Sequence, residues 1–198
     1  MLLNILGVIG AYILGSIPFG LIVAHALGEK DPRTAGSNNI GFTNVLRVSG
    51  KKAGILTLLG DIGKGVIAVV FAQGLGAPRP WVLLMGFAVV LGHIFSVFLA
   101  FKGGKGVATA LGAVLGIDPV LGACLVGIWI GTVIIFKYSS GGALAAFLSF
   151  PLLVYFFNED LQLILFSLCI LVLIIYGHTE NISRLMKGTE PKMRLFSI

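Results

Sequence analysis

Long apolar runs separated by short polar segments make up most of the chain. Residues 2–26, 53–73 and 81–101 form three such runs, each at least as long as the roughly 20 residues that an α-helix needs to cross a bilayer. A span of this kind must be helical, because lipid offers no hydrogen-bond partners to an open backbone. The pattern therefore predicts an all-α integral membrane protein.

Two further apolar runs are too long for one span and contain polar breaks. Residues 107–136 are divided by Asp118-Pro119, and residues 142–176 are divided by Asn158-Glu159-Asp160. A proline beside an acid, or three consecutive polar residues, is unfavourable inside hydrocarbon. We therefore predict about seven transmembrane segments, although a count of five remains open.

Two of these segments, near residues 107–117 and 142–157, are short enough to cross the bilayer only in part. The first apolar run lacks a charged leading region and a small-residue cleavage site, so we expect a retained helix rather than a signal peptide. We predict a single membrane domain over residues 1–198, with no soluble appendage.

Positive charge gathers in two polar segments, one after the first run and one at the end of the chain. They hold Lys30, Arg33, Arg47, Lys51 and Lys52, and then Arg184, Lys187, Lys192 and Arg194. Because cytoplasmic loops of membrane proteins are enriched in Lys and Arg, both segments are expected inside. Seven segments, or five, then give an outside N-terminus and a cytoplasmic C-terminus. Six would put the two basic segments on opposite sides, and we reject that count.

Composition supports a membrane protein and narrows its chemistry. Apolar residues make up 57% of the chain, charged residues only 11%, and 28 of 198 positions are glycine. A soluble protein could not cover its surface with so few charges, and abundant glycine suits helices that pack closely in lipid. Cys124 and Cys169 both lie inside apolar runs, which excludes a disulfide framework and a zinc site.

The first polar segment combines small, amide and cationic residues. Ser37 is a candidate N-cap for a following helix, Gly50 fits the end of that helix, and Asn44 and Arg47 lie one turn apart on it. Free backbone amides at a helix N-terminus bind anions, and Arg47 can add two phosphate contacts. The alternative is an ordinary interfacial helix whose basic residues touch lipid headgroups.

The second polar segment is rich in glycine and lysine. Residues 101–106 read Phe-Lys-Gly-Gly-Lys-Gly, a pattern that predicts a nest of backbone amides around a phosphate. It is not a nucleotide-binding P-loop, because Leu99 and Gly106 stand where that motif requires Gly and Ser or Thr. The alternative is a flexible basic turn that follows the positive-inside rule.

The third polar segment follows the last apolar run. His178, Asn181 and Arg184 recur every three residues, so a helix would place a titratable base, an amide and a cation on one broad face. In the structural alternative, His178 caps a helix and Arg184 reaches lipid headgroups.

Ionisable residues also occur inside apolar runs. Asp61 and Lys64 are three positions apart, which predicts an ion pair that either acts directly or orients Lys64 toward the site. His25 and His93 each stand alone on an apolar stretch, where hydrogen-bonded core groups are the simpler interpretation.

These polar features form three motifs in a fixed order along nearly the whole chain. They are Gly36-Ser37 with Asn44 and Arg47, then Gly92-His93 with residues 101–106, then Gly177-His178 with Asn181 and Arg184. This arrangement resembles the bacterial membrane acyl-phosphate:glycerol-3-phosphate acyltransferases. The resemblance implies transfer of a fatty acyl group from acyl phosphate to the 1-hydroxyl of glycerol 3-phosphate. The products are lysophosphatidic acid and phosphate, in the first acylation step of phospholipid synthesis.

The resemblance also implies roles for individual residues and a setting for the reaction. Catalytic roles fall to His178, Lys105 and Ser37. Substrate-binding roles fall to Gly36, Asn39, Asn44, Arg47, Gly103, Gly104, Gly106, Asn181 and Arg184, with Asp61 and Lys64 as a supporting pair. We expect direct attack without a covalent acyl-enzyme, with either His178 or a substrate phosphate as the base.

The expected site faces the cytoplasm in a bacterial inner membrane, where membrane lipids surround the protein. We expect no metal, no cofactor, no acyl-CoA or acyl-carrier-protein donor, no nucleic acid and no obligatory protein partner.

Three other classes of protein are alternatives to this one. A small polytopic transporter would suit broken, glycine-rich helices, but it needs polar groups along its spans. An enzyme that transfers nucleotide or alcohol phosphates needs acidic metal clusters, and eight scattered acids do not form one. Soluble-type glycerolipid acyltransferases use a His and an Asp separated by four positions. Lys30, Phe98 and Ser183 stand where that Asp is required.

Overall fold

The computed structural model describes residues 1–157 and 160–193, and the described residues form α-helices joined by turns and loops. In chain order the helices are α1 (Leu2–Ser16), α2 (Phe19–Ala26), α3 (Phe42–Val48), α4 (Gly50–Gly74), α5 (Arg79–Ile94), α6 (Val107–Ile117), α7 (Pro119–Phe136), α8 (Ser139–Phe157), α9 (Leu161–Gly177) and α10 (Thr179–Met186). The prediction of an all-α fold is confirmed within this part of the chain. Asn158 and Glu159 of the predicted break, and Arg194 of the basic tail, lie outside it.

Four helical segments are long and apolar enough to cross a bilayer. They are α4, α5 with the turn that follows it, α7 and α8, and the bent pairs α1–α2 and α9–α10 raise the number to six. Helix α6 has 11 residues and is shorter than a span, as predicted. The prediction of a short segment at 142–157 is wrong, because α8 begins at Ser139 and its 19 residues can cross the bilayer. The count of seven stays a prediction, since it also requires α6.

Two predicted spans are interrupted. The first run forms α1 and α2, whose axes differ by 43°. Pro18 explains this break, because it lacks an N–H and keeps the preceding Ile17 out of helical geometry. The third run leaves the α-helix at Ile94, and a 3-10 turn follows at Val97–Leu99. Ala100 and Phe101 then adopt positive φ angles of 49° and 62°, which turn the chain toward the 101–106 motif.

Contacts divide the chain into two compact units, Met1–Pro119 and Val120–Ile198. In the first unit, glycines let helices approach within backbone contact. A Cβ on Gly112 of α6 would overlap the carbonyl oxygen of Ile62 in α4, and a Cβ on Gly65 would overlap that of Thr109. Gly15 of α1 meets the Val89 carbonyl of α5 in the same way. Small residues at such crossings are a common means of packing helices in lipid.

The second unit packs α8 against α9 through aromatic side chains. The Phe150 ring lies edge-on to both Phe147 and Phe166, with centroids 6.3 Å apart in each pair. After α9 the chain bends by 64° into α10, and His178 stands at that bend. The tail then returns to the α7–α8 link, where the amide of Met193 donates to the carbonyl of Lys137 at 2.7 Å.

Candidate active site

The first motif is a loop built around the side chain of Asn44. This buried residue of α3 donates through Nδ2 to the carbonyl oxygens of Pro32 (2.8 Å), Ala35 (3.1 Å) and Asn39 (2.9 Å). Its Oδ1 accepts from the amide of Ser37 at 2.9 Å. Both ends of the amide therefore bind loop backbone, and Asn44 fixes the position of Ser37.

Two neighbouring residues complete the loop. Gly36 has a φ of +67°, and a Cβ at this position would overlap Asn44 Oδ1. Asn39 Oδ1 accepts from the amide of Gly41 at 2.9 Å. These contacts give Gly36 and Asn39 evident roles in shaping the backbone, as turn residues do elsewhere.

The predicted boundaries of this helix are only partly correct. Ser37 is not its N-cap, because α3 begins at Phe42 after Gly41 and has no side-chain cap. The intervening residues are held in the loop around Asn44 instead. Gly50 does follow the helix end, with a φ of +85° immediately after Ser49. Arg47 lies exposed in the last turn of α3.

In the second motif, two glycine amides bind the end of α5. The amide of Gly103 donates to the carbonyl of Ile94 at 2.9 Å, and that of Gly104 donates to His93 at 3.0 Å. The prediction that these two amides surround an anion is therefore wrong. Helix carbonyls that lack partners at a C-terminus compete for such donors. Gly106, with a φ of +81°, then starts α6 directly after Lys105.

A buried charged cluster lies in the same unit, and its three side chains are 1–4% exposed. Asp61 Oδ1 is 2.9 Å from Lys64 Nζ and 3.4 Å from His93 Nδ1. Lys64 also donates to the carbonyl of Ile17 at 3.0 Å, beside the break between α1 and α2. The predicted Asp61–Lys64 pair is confirmed. From its surroundings in the sequence, His93 was expected as a hydrogen-bonded core residue, and the structure places it in contact with this pair.

In the third motif, two residues donate hydrogen bonds to one carboxylate. Asn181 Nδ2 and Arg184 Nε donate to the two oxygens of Glu190 at 2.6 and 2.8 Å. The hydroxyl of Ser140, at the start of α8, donates to the same group at 2.6 Å. His178 lies just before α10, and its Nδ1 is 2.7 Å from the carbonyl of Ile174.

Glu190 was not among the predicted site residues, and an acid in a basic tail was the only sequence signal for it. Burial raises the pKa of this carboxyl. The hydrogen bonds from Ser140, Arg184 and Asn181, with the charge of Arg184, lower it further than burial raises it, so the pKa lies below its ordinary value. Glu190 is therefore ionised at neutral pH.

The predicted residues thus fall into three local groups, the Asn44 loop, the turn beside the buried cluster, and the residues around Glu190. Among the described residues, no three His, Cys, Asp or Glu side chains come together in a way that could hold a metal ion.

Comparison with known proteins identifies the family. The sequence profile described as glycerol-3-phosphate acyltransferase matches residues 5–188. A glycerol-3-phosphate acyltransferase of Geotalea daltonii is 48% identical over 92% of this chain and 94% of its own length. The corresponding protein of Methylococcus capsulatus is 45% identical over 92% of each chain.

Two crystal structures of PlsY, an integral membrane glycerol 3-phosphate acyltransferase, share the fold at 39% identity. Its glycerol 3-phosphate form has a TM-score of 0.91 and covers 96% of both chains. Its lysophosphatidic acid form has a TM-score of 0.88 and covers 96% of this chain and 94% of the other. The chain therefore belongs to the glycerol-3-phosphate acyltransferase family, as an integral membrane enzyme with several helical spans.

Proposed function

We propose that this enzyme transfers a fatty acyl group from acyl phosphate to the 1-hydroxyl of glycerol 3-phosphate, releasing lysophosphatidic acid and phosphate. The observation that carries the proposal is the near full-length likeness to PlsY in its glycerol 3-phosphate and lysophosphatidic acid forms. Those two forms hold an acceptor and an acylated product. The acyl-phosphate donor rests on the resemblance of the three motifs.

We assign substrate contact to residues with suitable charge or hydrogen-bonding groups. Ser37, Arg47 and Lys105 serve this role in the first unit, and His178, Asn181 and Arg184 in the second. Phosphate is bound well by guanidinium, ammonium and hydroxyl donors, and arginine can make two parallel hydrogen bonds to it. Because Asn181 and Arg184 both donate to Glu190, this carboxylate sets the direction of their remaining donors.

Other predicted binding residues act through the backbone. Asn44, Gly36 and Asn39 shape the loop that carries Ser37. Gly103, Gly104 and Gly106 shape the turn that carries Lys105, with Asp61 and Lys64 buried nearby. Each of these is a positioning role.

The proposed reaction is a direct transfer. The 1-hydroxyl oxygen attacks the acyl carbonyl carbon, the carbon–oxygen bond to phosphate breaks, and phosphate leaves with the electron pair. Holding both substrates in attack geometry can supply about 7–11 kcal/mol of the barrier. Donors aimed at the developing oxyanion and the leaving phosphate can add about 3 kcal/mol each.

Two groups can take the hydroxyl proton, the imidazole of His178 or a phosphate oxygen of a bound substrate. A carbonyl oxygen only accepts, so the contact with Ile174 puts the proton of a neutral His178 ring on Nδ1. Nε2 is then the ring nitrogen that can accept a proton. A His178→Gln variant that keeps near-normal kcat would exclude His178 as the base.

We also propose the setting of the reaction. The chain acts as one domain in a bacterial inner membrane, with seven segments, an outside N-terminus, and its C-terminus and site in the cytoplasm. The clustering of cations in the 27–52 segment and in the tail supports this orientation. Surrounding lipids hold the acyl chains, and no cofactor or protein partner enters the reaction.

Phosphate release tests the proposal. Purified protein in detergent receives palmitoyl phosphate with and without glycerol 3-phosphate, without added metal. We expect release that requires glycerol 3-phosphate and falls at least about 100-fold in Lys105→Ala, because the variant loses a charged donor at the leaving group. Lys102→Ala, which removes an exposed neighbouring lysine, is the matched control and should stay within about threefold of wild type. Release without acceptor, or equal losses in both variants, would contradict the proposal.

A further inference from the structure

His93 lies directly beneath the turn that carries Lys105. Its carbonyl oxygen accepts from the amide of Gly104, and a Cβ on Gly104 would overlap the ring nitrogen Nε2. The ring and the turn are therefore in contact at a position where only glycine fits.

The other side of the ring is held by charge. His93 Nδ1 faces Asp61 Oδ1 at 3.4 Å, and Asp61 is paired with Lys64. Lys64 reaches the carbonyl of Ile17 and stands 5.8 Å from the centre of the Phe19 ring. The break between α1 and α2, helices α4 and α5, and the turn that carries Lys105 thus meet at one buried cluster. Charged side chains buried in a membrane protein are costly unless they are paired, as they are here.

We propose that His93 is a positioning residue for acyl transfer. Its imidazole, held by Asp61, supports Gly104 and thereby fixes the placement of Lys105. This inference rests on the proposed role of Lys105 in binding or stabilising phosphate. In this inference Asp61 and Lys64 contribute to the reaction by orienting the His93 ring and do not contact a substrate.

The geometry of the glycines provides a specific test. A Gly104→Ala methyl group would collide with the His93 ring, and a His93→Ala substitution removes that ring. A Gly103→Ala methyl group would instead collide with the backbone carbonyl of His93, which every residue retains. Gly103→Ala is therefore a matched control for the same turn.

The experiment measures kcat/KM for both substrates, and Tm, across a double-mutant cycle. We expect Gly104→Ala to lower kcat/KM at least about tenfold in the wild-type background and less than about threefold in the His93→Ala background. Gly103→Ala should lower kcat/KM by the same factor in both backgrounds. Equal effects of Gly104→Ala in both backgrounds would overturn the inference.

A second variant separates positioning from simple packing. His93→Asn keeps a donor near Asp61 but withdraws the atoms that contact Gly104. We expect this variant to keep its Tm within about 3 °C of wild type while kcat/KM falls about tenfold. On a Lys105→Ala background the same change should have little further effect on kcat/KM, because His93 acts through that lysine. Wild-type activity in His93→Asn, or an undiminished loss on the Lys105→Ala background, would overturn the inference.

The outcomes also separate this inference from the proposed function. A wild-type enzyme that releases no phosphate in the presence of glycerol 3-phosphate would overturn both. An active wild type with no coupling between His93 and Gly104 would overturn the inference alone.

Discussion

Asn44 and Glu190 illustrate how polar residues work in this protein at the residue scale. Asn44 was predicted as a substrate ligand, but its amide is bound on both ends to the 32–39 loop. Glu190 was not predicted, and it accepts hydrogen bonds from Ser140, Asn181 and Arg184. Buried polar groups need partners, so residue type alone does not distinguish a substrate ligand from a backbone support.

Replacing Asn44 should loosen the first motif. Asn44→Ala removes the acceptor of the Ser37 amide and the donor to three carbonyls, and we expect a loss of about 1–3 kcal/mol in stability with faster proteolysis of the loop. Thermal unfolding and limited proteolysis in detergent measure both effects. Asn38→Gly is the control, because Asn38 is exposed and its φ of 54° suits glycine. A loss as large in this control would contradict the assigned role of Asn44.

Glu190 should make the stability of the folded protein depend on pH. The pKa of this carboxyl is below its ordinary value of 4.5 in the folded protein, so ionised Glu190 stabilises the fold above that pH. The contribution is lost as pH falls through the folded-state pKa. We expect the Tm difference between wild type and Glu190→Gln to be largest near neutral pH and to shrink below pH 4.5. A Tm difference that stays constant across this range would show that charge is not involved.

At the element scale, helix packing depends on glycines at a few crossings. Gly65 and Gly112 let α4 and α6 meet through backbone atoms, whereas Gly63 of α4 faces open space. Sequence periodicity could not distinguish glycines at helix crossings from glycines that face open space, because all of them lie in apolar runs. Their roles depend on which helix is the neighbour.

We expect Gly112→Ala to destabilise the first unit by about 1–3 kcal/mol, since its methyl group would force α6 away from Ile62. Gly63→Ala should be neutral or slightly stabilising, because alanine favours helix and meets no atom there. Thermal unfolding of the two variants in the same detergent gives the comparison. Similar Tm losses in both would contradict close packing as the cause.

At the scale of the whole molecule, the number of bilayer crossings determines on which side each basic segment lies. The described residues contain four to six candidate spans. If all six cross, the short helix α6 decides whether the two basic segments share a side. With α6 crossing as well, the proposed orientation places both Lys51 and Lys187 in the cytoplasm; with six spans and no α6, the two lysines lie on opposite sides.

Cysteine labelling tests this orientation. After Cys124 and Cys169 are replaced by Ser, single cysteines are introduced at the exposed positions Gly74, Lys51 and Lys187. We expect an impermeant maleimide to label Gly74→Cys in intact spheroplasts, and the other two only after the membrane is disrupted, because cationic loops remain inside. Labelling of Lys187→Cys in intact spheroplasts would contradict the seven-segment topology.

The sequence by itself determined the class of protein, most helix positions, the Asp61–Lys64 pair and the three motifs. These features follow from apolar run length, charge placement and local spacing, which need no knowledge of neighbours. Only the tertiary structure decided three further features. The Gly103 and Gly104 amides donate to carbonyls of α5, Asn44 accepts from the amide of Ser37, and Glu190 accepts from Arg184 of the third motif. Each of these depends on groups distant in sequence that compete for the same hydrogen bonds, and only the folded chain determines which partner each group obtains.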